Sequence, residues 1–370
     1  MLLGERLKSL DVFRGLTVAA MILVNNPGSW SSVYPPLLHA PWHGCTPTDL
    51  IFPFFLFSVG VSIHFAYRSK RAAGLTKEVW LKILKRSLII FCLGLFLSLF
   101  PKFNFETMRI PGVLQRISLV FLFCSTLYFL TTLRTQLILF TSLLILYYLI
   151  MTFIPVPGIG PANLEMNTNL AAWLDNRVLS GHLWVQTKTW DPEGILSTLP
   201  AIATGISGML VGYVLTSTTS INTRVKTLLG AGIVSVLAGL VWSIFFPFNK
   251  SLWTSSYVLY TSGLATVLLT GFYWLIDVKQ IQRWSQPLLW YGVNALAVFV
   301  ASGLLTKTLI GMKVTTPEGL ERSVWNYLYE SLFTSWLGPV NASLAFALMW
   351  VVFFGTLLFV LYRKKIIIKV

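Results

Sequence analysis

Acidic residues are scarce in this chain: Asp and Glu together number 13 in 370 residues, against 28 Lys and Arg. All charged residues make up 11% of the sequence, where a soluble domain carries about 25%. No polar stretch is long enough to hold a further soluble domain. Cysteine is rare as well. Cys45, Cys92 and Cys124 lie far apart, which gives neither a disulfide framework nor a metal-ligand spacing. No Walker loop, G-x-G-x-x-G, H-E-x-x-H or G-x-S-x-G is present, so nucleotide hydrolysis and metal chemistry have no sequence signal. No internal repeat stands out, and the inverted halves of many transporters are missing.

What the chain has is apolar length. Hydrophobic residues make up 55% and the mean hydropathy is +0.72. A helix needs about 20 apolar residues to span a bilayer, and such runs recur throughout. They predict an all-α, polytopic transmembrane bundle of ten spans, near residues 10–26, 49–67, 80–100, 113–131, 137–154, 195–216, 227–246, 255–276, 287–305 and 340–362. The ninth is interrupted by Asn294 and Gly303, and a half-inserted segment has room in 324–337. The first apolar stretch runs into Asn25, Asn26 and Pro27 with no small-residue cleavage site, so it reads as a retained span.

The net charge of +15 reads as the positive-inside rule and not as a nucleic-acid footprint. With the N-terminus inside, 19 of the 28 Lys and Arg, from Arg6 to Lys369, fall on the inner side. Both termini are then cytoplasmic, and residues 1–370 form one multi-pass domain. Its outer loops are 26–48, 101–112, 155–194, 247–254 and 306–339. The expected location is the cytoplasmic (inner) membrane of a cell.

The chemically richest stretch is 25–60, where Asn25, His39, His43, Thr46 and Asp49 run straight into an apolar helix. Polar groups beside a bilayer are costly and mark function by default. An imidazole in partly dry surroundings can act as a base near neutral pH. His39 is the first choice and His43 the substitute; His64 reads as structural. Asp49 either orients His39 or caps the second span. Asn25 lies 11 residues beyond Arg14, roughly 16 Å along a helix, and its carboxamide either needs a partner in the membrane or simply ends the helix before Pro27. Asp11 and Arg14, three apart, either pair on one helix face or leave Arg14 free to hold a phosphate.

Further along, RIPGVLQR (109–116) puts Arg109, Gln115 and Arg116 on the positive-poor side. They either clamp an anionic group or pair with Asp191 and Glu193. WDPEG (190–194) either caps a helix through Asp191 and Pro192 or builds a sugar site, with Trp190 stacking and Asp191 and Glu193 bonding hydroxyls or an amine. NKSLWTSSY (249–257) repeats the theme around Trp253.

At these residues the chain resembles the heparan-α-glucosaminide N-acetyltransferase family of transmembrane acyltransferases. The likeness rests on RLKSLDVFRG (6–15), VNNPG (24–28), HAPWHGCTPTDLIFPFFLFSVG (39–60) and RIPGVLQR. It continues through PVPG (155–158), DPEGIL (191–196), NKSLWTSSYV (249–258), YGVNAL (291–296) and LYRKKI (361–366). The family's histidine falls on His39 and its asparagine on Asn25. His43 and Cys45 depart from its pattern. The resemblance implies acetyl transfer from cytosolic acetyl-CoA to a hexosamine amine on the far side, without a metal. His39 would be base or acyl carrier, Asn25 the donor to the developing oxyanion, and Asp49 the partner of His39. Arg14, Lys85, Arg86 and Lys364 would hold the CoA phosphates; Arg109, Trp190, Asp191, Glu193 and Trp253 would hold the sugar. Partners would be the amino sugar, the bilayer and a second copy in a homodimer, with no nucleic acid. O-acylation of an envelope glycan and a sugar permease remain the competing readings.

Overall fold

The computed structural model describes residues 7–316 and 319–368; Arg6 and Lys369 lie outside the described residues. The described residues hold thirteen α-helices. These are α1 Lys8–Asn25, α2 Ile51–Tyr67, α3 Lys77–Leu99, α4 Val113–Leu130, α5 Leu133–Phe153, α6 Leu170–Leu179 and α7 Thr198–Leu215. The remainder are α8 Ile221–Trp242, α9 Ser255–Phe272, α10 Gln286–Val293, α11 Ala295–Gly311, α12 Val324–Tyr329 and α13 Pro339–Arg363. One short antiparallel pair, β1 Lys313–Thr315 and β2 Glu321–Ser323, follows α11.

Helix starts follow from capping. The Thr76, Thr132, Asn169 and Ser220 side chains each accept the backbone N–H three residues on, satisfying a donor that the helix cannot. Seven helical stretches are long and apolar enough to cross a membrane, or eight if α10 and α11, bent by 70°, count as one. Nine of the ten segments expected from sequence fall on one helix each, and the ninth, 287–305, is split between α10 and α11. The difference in count is α1 and α3, whose charges (Lys8, Asp11 and Arg14; Lys82, Lys85 and Arg86) keep them short of that standard.

The bundle centres on α7, the most enclosed of the apolar spans, while α5 and α8 are the most open. Glycine sets how closely the central helices approach. A methyl at Gly60 of α2 would strike the Gly205 carbonyl of α7, and one at Gly208 would strike the Phe57 carbonyl. Small residues at such contacts let backbones meet where lipid supplies no hydrophobic drive. α1 packs against α10 in the same way, Gly15 against the Leu288 carbonyl and Gly292 against that of Asp11. A core of Leu56, Ile63, Val120, Cys124, Ile206 and Tyr257 ties α2, α4, α7 and α9 together below the loop that carries His39.

A candidate active site at His39

The loop before α2 is shaped by proline and by one carboxylate. Pro35–Leu37 and Pro47–Leu50 are single 3-10 turns. Thr46 and Asp49 form a capping box on the second. Asp49 Oδ2 accepts the backbone N–H groups of Ala40 at 3.1 Å and Thr46 at 3.0 Å. Asp49 Oδ1 lies 2.6 Å from His39 Nδ1. The two alternatives for Asp49 are thus met at once, capping with one oxygen and orienting the imidazole with the other. The Asp49 side chain is 1% exposed and that of His39 is 49% exposed. A buried carboxylate on Nδ1 leaves Nε2 free for proton transfer at an open face.

The loop 247–254 closes over this pair. Gly44 N–H donates to the Phe248 carbonyl at 2.7 Å, and Tyr257 donates its hydroxyl to the Asp49 carbonyl. Lys250 Nζ stands 3.1 Å from His39 Nε2 and 3.2 Å from Nδ1. Nearly equidistant from the two ring nitrogens, the ammonium lies over the imidazole face and leaves the in-plane lone pair of Nε2 free. Burial lowers the pKa of Lys250, as does Arg116, while the nearby Glu193 and Asp49 oppose the shift. Sequence reasoning missed this contact. NKSLWTSSY drew attention to Trp253, although a lysine on the positive-poor side was itself a signal. Cys45, close by, is pushed up to about 12 by burial and by Asp49. A thiol so far from ionisation is a poor nucleophile.

Trp42 links the site to the long outer loop. Its indole N–H donates to the Leu164 carbonyl at 2.8 Å and its ring meets Trp190 edge-on at 5.1 Å. Behind Trp190 the WDPEG turn is braced from three sides. Arg109 donates Nε to Asp191 at 2.8 Å and Nη2 at 2.6 Å, and reaches Glu193 as well. Arg116 donates to the carbonyls of Pro192 and Gly194 at 3.0 and 3.1 Å. Asp175 of α6 accepts the N–H groups of Asp191 and Ile195 at 3.2 and 2.8 Å. Burial pushes the Asp175 carboxyl up to about 6. Burial acts the same way on Glu193, but Arg109, Arg116 and Lys250 hold it below its ordinary value. For Arg109 the pairing with Asp191 and Glu193 is what the geometry displays, whereas Arg116 meets backbone carbonyls and Ser197 instead. Asp191 is fully enclosed by its pairing with Arg109, and Trp253 is fully buried with its indole N–H on Thr204 and Arg116 over its ring.

Asn25 ends α1 as an exposed residue, and among the described residues no hydrogen bond joins it to His39. Its neighbour Asn26 is the buried one, donating to the Ile22 carbonyl and accepting from Thr306. Arg14 pairs with Asp11 while its Nε is buried without a partner. Arg86 lies near enough to Arg14 to feel its charge and sits 5.0 Å over the Phe121 ring. Lys85 and Lys364 are exposed.

These features define a class: a multi-span helical membrane protein with a carboxylate-oriented histidine at one face and arginines inside its helices. A sequence profile of the catalytic region of heparan-alpha-glucosaminide N-acetyltransferase matches residues 6–246. Two relatives of that name align along most of the chain. The mouse (Mus musculus) protein is 28% identical over 359 residues, covering 82% of this chain and 54% of its own. The human (Homo sapiens) protein is 30% identical over 358 residues, covering 80% and 53%. The chain belongs to the heparan-alpha-glucosaminide N-acetyltransferase family, and it spans about half the length of these relatives.

Proposed function

We propose that the chain is a transmembrane acyltransferase. It takes an acetyl group from acetyl-CoA at the basic, cytoplasmic face and passes it to a hexosamine amine on the opposite side. The observation that carries this reading is the His39–Asp49 contact at 2.6 Å with the imidazole half open. Asp49 holds Nδ1–H, so Nε2 presents its lone pair outward. Nε2 can take the proton of the attacking amine, or bear the acetyl group first. Both routes use the same nitrogen. Arg14, partly buried in α1, and Arg86, on the exposed side of α3, are cations suited to a phosphate or pyrophosphate, and the unpartnered Arg14 Nε is a donor waiting for an acceptor. Lys85 and Lys364 extend that basic face. Asn25 is kept as the oxyanion donor, which requires its exposed carboxamide to face the bound thioester. Trp190, with Arg109, Asp191 and Glu193 behind it, is the proposed sugar wall, and Trp253 supports that wall from the core.

In this reading α1 and α3 also span, giving ten crossings with both termini inside, and two copies pair in the cytoplasmic membrane. The test is transfer of labelled acetyl from acetyl-CoA by the purified, lipid-embedded protein to a panel of free and oligomeric amino sugars and their hydroxyl-only analogues. Acetylation of amines alone is expected. His39→Ala should lose on the order of 10²- to 10⁴-fold in turnover, the usual worth of a positioned base, while still binding CoA. Full activity in that variant overturns the mechanism.

A further inference from the structure

Lys250 comes from the loop that closes on the His39 loop through Gly44 and Phe248. Its ammonium rests over one face of the imidazole, 3.1 Å from Nε2 and 3.2 Å from Nδ1. The Nε2 lone pair, in the ring plane, stays open to an acceptor amine. We propose that Lys250 is a catalytic residue whose ammonium donates to the acetyl oxygen as negative charge develops there. The proposal rests on the acetyl-transfer reading above. An oxyanion takes more than one donor, so Lys250 adds to the Asn25 carboxamide and does not replace it.

The position and the partners of the ammonium both support this role. An ammonium carries three donors. Among the described residues no oxygen accepts from this one, which meets only the ring, although it is half-buried. No carboxylate lies within ion-pair distance of it among the described residues. Glu193 and Asp49 favour its charge from further off, against burial and Arg116. Those two carboxylates are engaged by Arg109 and by His39. The site therefore holds a cation with its donors unspent beside the base. An amine that hands its proton to Nε2 lies in the ring plane. The carbonyl carbon it attacks is one bond away, and the carbonyl oxygen one bond further. Turned to the face that the 247–254 loop covers, that oxygen comes within the roughly 3 Å reach of an ammonium donor. A charged donor aimed at developing charge is among the strongest catalytic contacts.

The step balances with Lys250 keeping all its protons. The neutral sugar amine forms a C–N bond to the thioester carbon, and the C=O π pair moves onto oxygen, facing Nζ. The amine proton passes to His39 Nε2. The pair then returns, the C–S bond breaks, and the departing CoA thiolate takes the proton from Nε2. When Nε2 bears the acetyl group first, the same oxygen becomes charged at each of the two transfers, on the same side of the ring.

The experiment uses the full chain in lipid nanodiscs with acetyl-CoA and a panel of amino sugars beginning with D-glucosamine. Lys250→Met removes the charge and the donors at nearly constant length. Its kcat should fall on the order of 10²- to 10³-fold, as when an oxyanion donor is lost, with both KM values and CoA binding unchanged. Lys250→Gln, which keeps a neutral N–H donor, should fall between Lys250→Met and the wild type. Amide exchange over residues 39–49 should be the same in all three proteins. A Lys250→Met variant with wild-type kcat overturns the proposal and leaves the acyltransferase reading standing. So does a loss confined to the sugar KM, which makes Lys250 a binding group. A loss that tracks faster exchange over 39–49, and not the missing charge, overturns it in favour of a structural role. Acetyl transfer by the wild type to no sugar in the panel removes both readings together.

Discussion

Asp49 does two jobs with one carboxylate, and they can be separated. Asparagine at this position keeps one acceptor oxygen and turns the other into a donor that faces the Ala40 and Thr46 N–H groups or the imidazole. Asp49→Asn is therefore expected to spoil either the cap or the tautomer. A comparable change in a hydrolase triad costs about 10⁴-fold in kcat, and a loss of that order is expected here, with a drop of about 1–3 kcal/mol in stability from the unsatisfied backbone donor. Initial rates and thermal unfolding of the same preparation check the pair. Asp175 gives a pH signature instead. Its folded pKa, about 6, lies above the unfolded carboxylate value, so the folded state binds more protons between about pH 4 and 6. Its contribution to stability is then fully present near pH 4 and falls as pH rises through 6. Asp175→Asn should flatten the decline in thermal stability across that window, and an unchanged slope would show that the carboxyl is already ionised at low pH.

At the scale of elements, the α10–α11 break is the feature with most consequence. Asn294 sits at the bend, and its side chain donates to the Ile366 carbonyl at 3.1 Å and accepts the Ile368 N–H at 2.9 Å. The tail after α13 is thereby held against the broken helix beside α1. Asn294→Ala should release residues 366–368, read as faster amide exchange there with little change in α2 or α7. Gly208→Val should do the opposite: it drives a side chain into the Phe57 carbonyl, and thermal stability should fall by several degrees while the His39 loop keeps its local bonds. The sequence made the ten apolar segments readable because hydropathy and helix length are local properties. It also marked His39, Asp49 and Asn294 as polar residues in the wrong company. It did not reveal α6, which lies in a long loop and is anchored by Asp175 to backbone 16 and 20 residues away. Nor did it separate Asn25 from Asn26, because which of two adjacent carboxamides turns inward is decided by Thr306, 280 residues on. Lys250 escaped for the same reason, 211 residues from the ring it touches.

For the whole molecule the proposed reaction raises the question of how an anionic donor on one face would meet a base on the other. In the proposed orientation basic residues crowd the inner side, yet Arg14 sits partly buried within α1, where an unpaired cation is costly. Arg14 has one acidic partner, Asp11, and leaves its Nε unmet; such a group persists most readily where a ligand anion completes it. The His39 loop follows the far end of α1 in the chain, and Arg14 is six residues into that helix from Lys8. In the proposed reaction the donor enters from the Lys8 end and extends past α1 towards the α2 start. Two consequences separate this arrangement from a carrier or a one-sided enzyme. In sealed proteoliposomes of defined orientation, acetyl-CoA supplied only at the face bearing both termini should acetylate amino sugar supplied only at the other. Acetyl-CoA supplied on the sugar side alone should give no product. Arg14→Ala should raise the KM for acetyl-CoA by roughly 10-fold or more, the loss of one charge-assisted hydrogen-bond partner, with the KM for sugar unchanged. A variant that alters the sugar KM and spares that of acetyl-CoA would place Arg14 at the acceptor end and reverse the direction of the path.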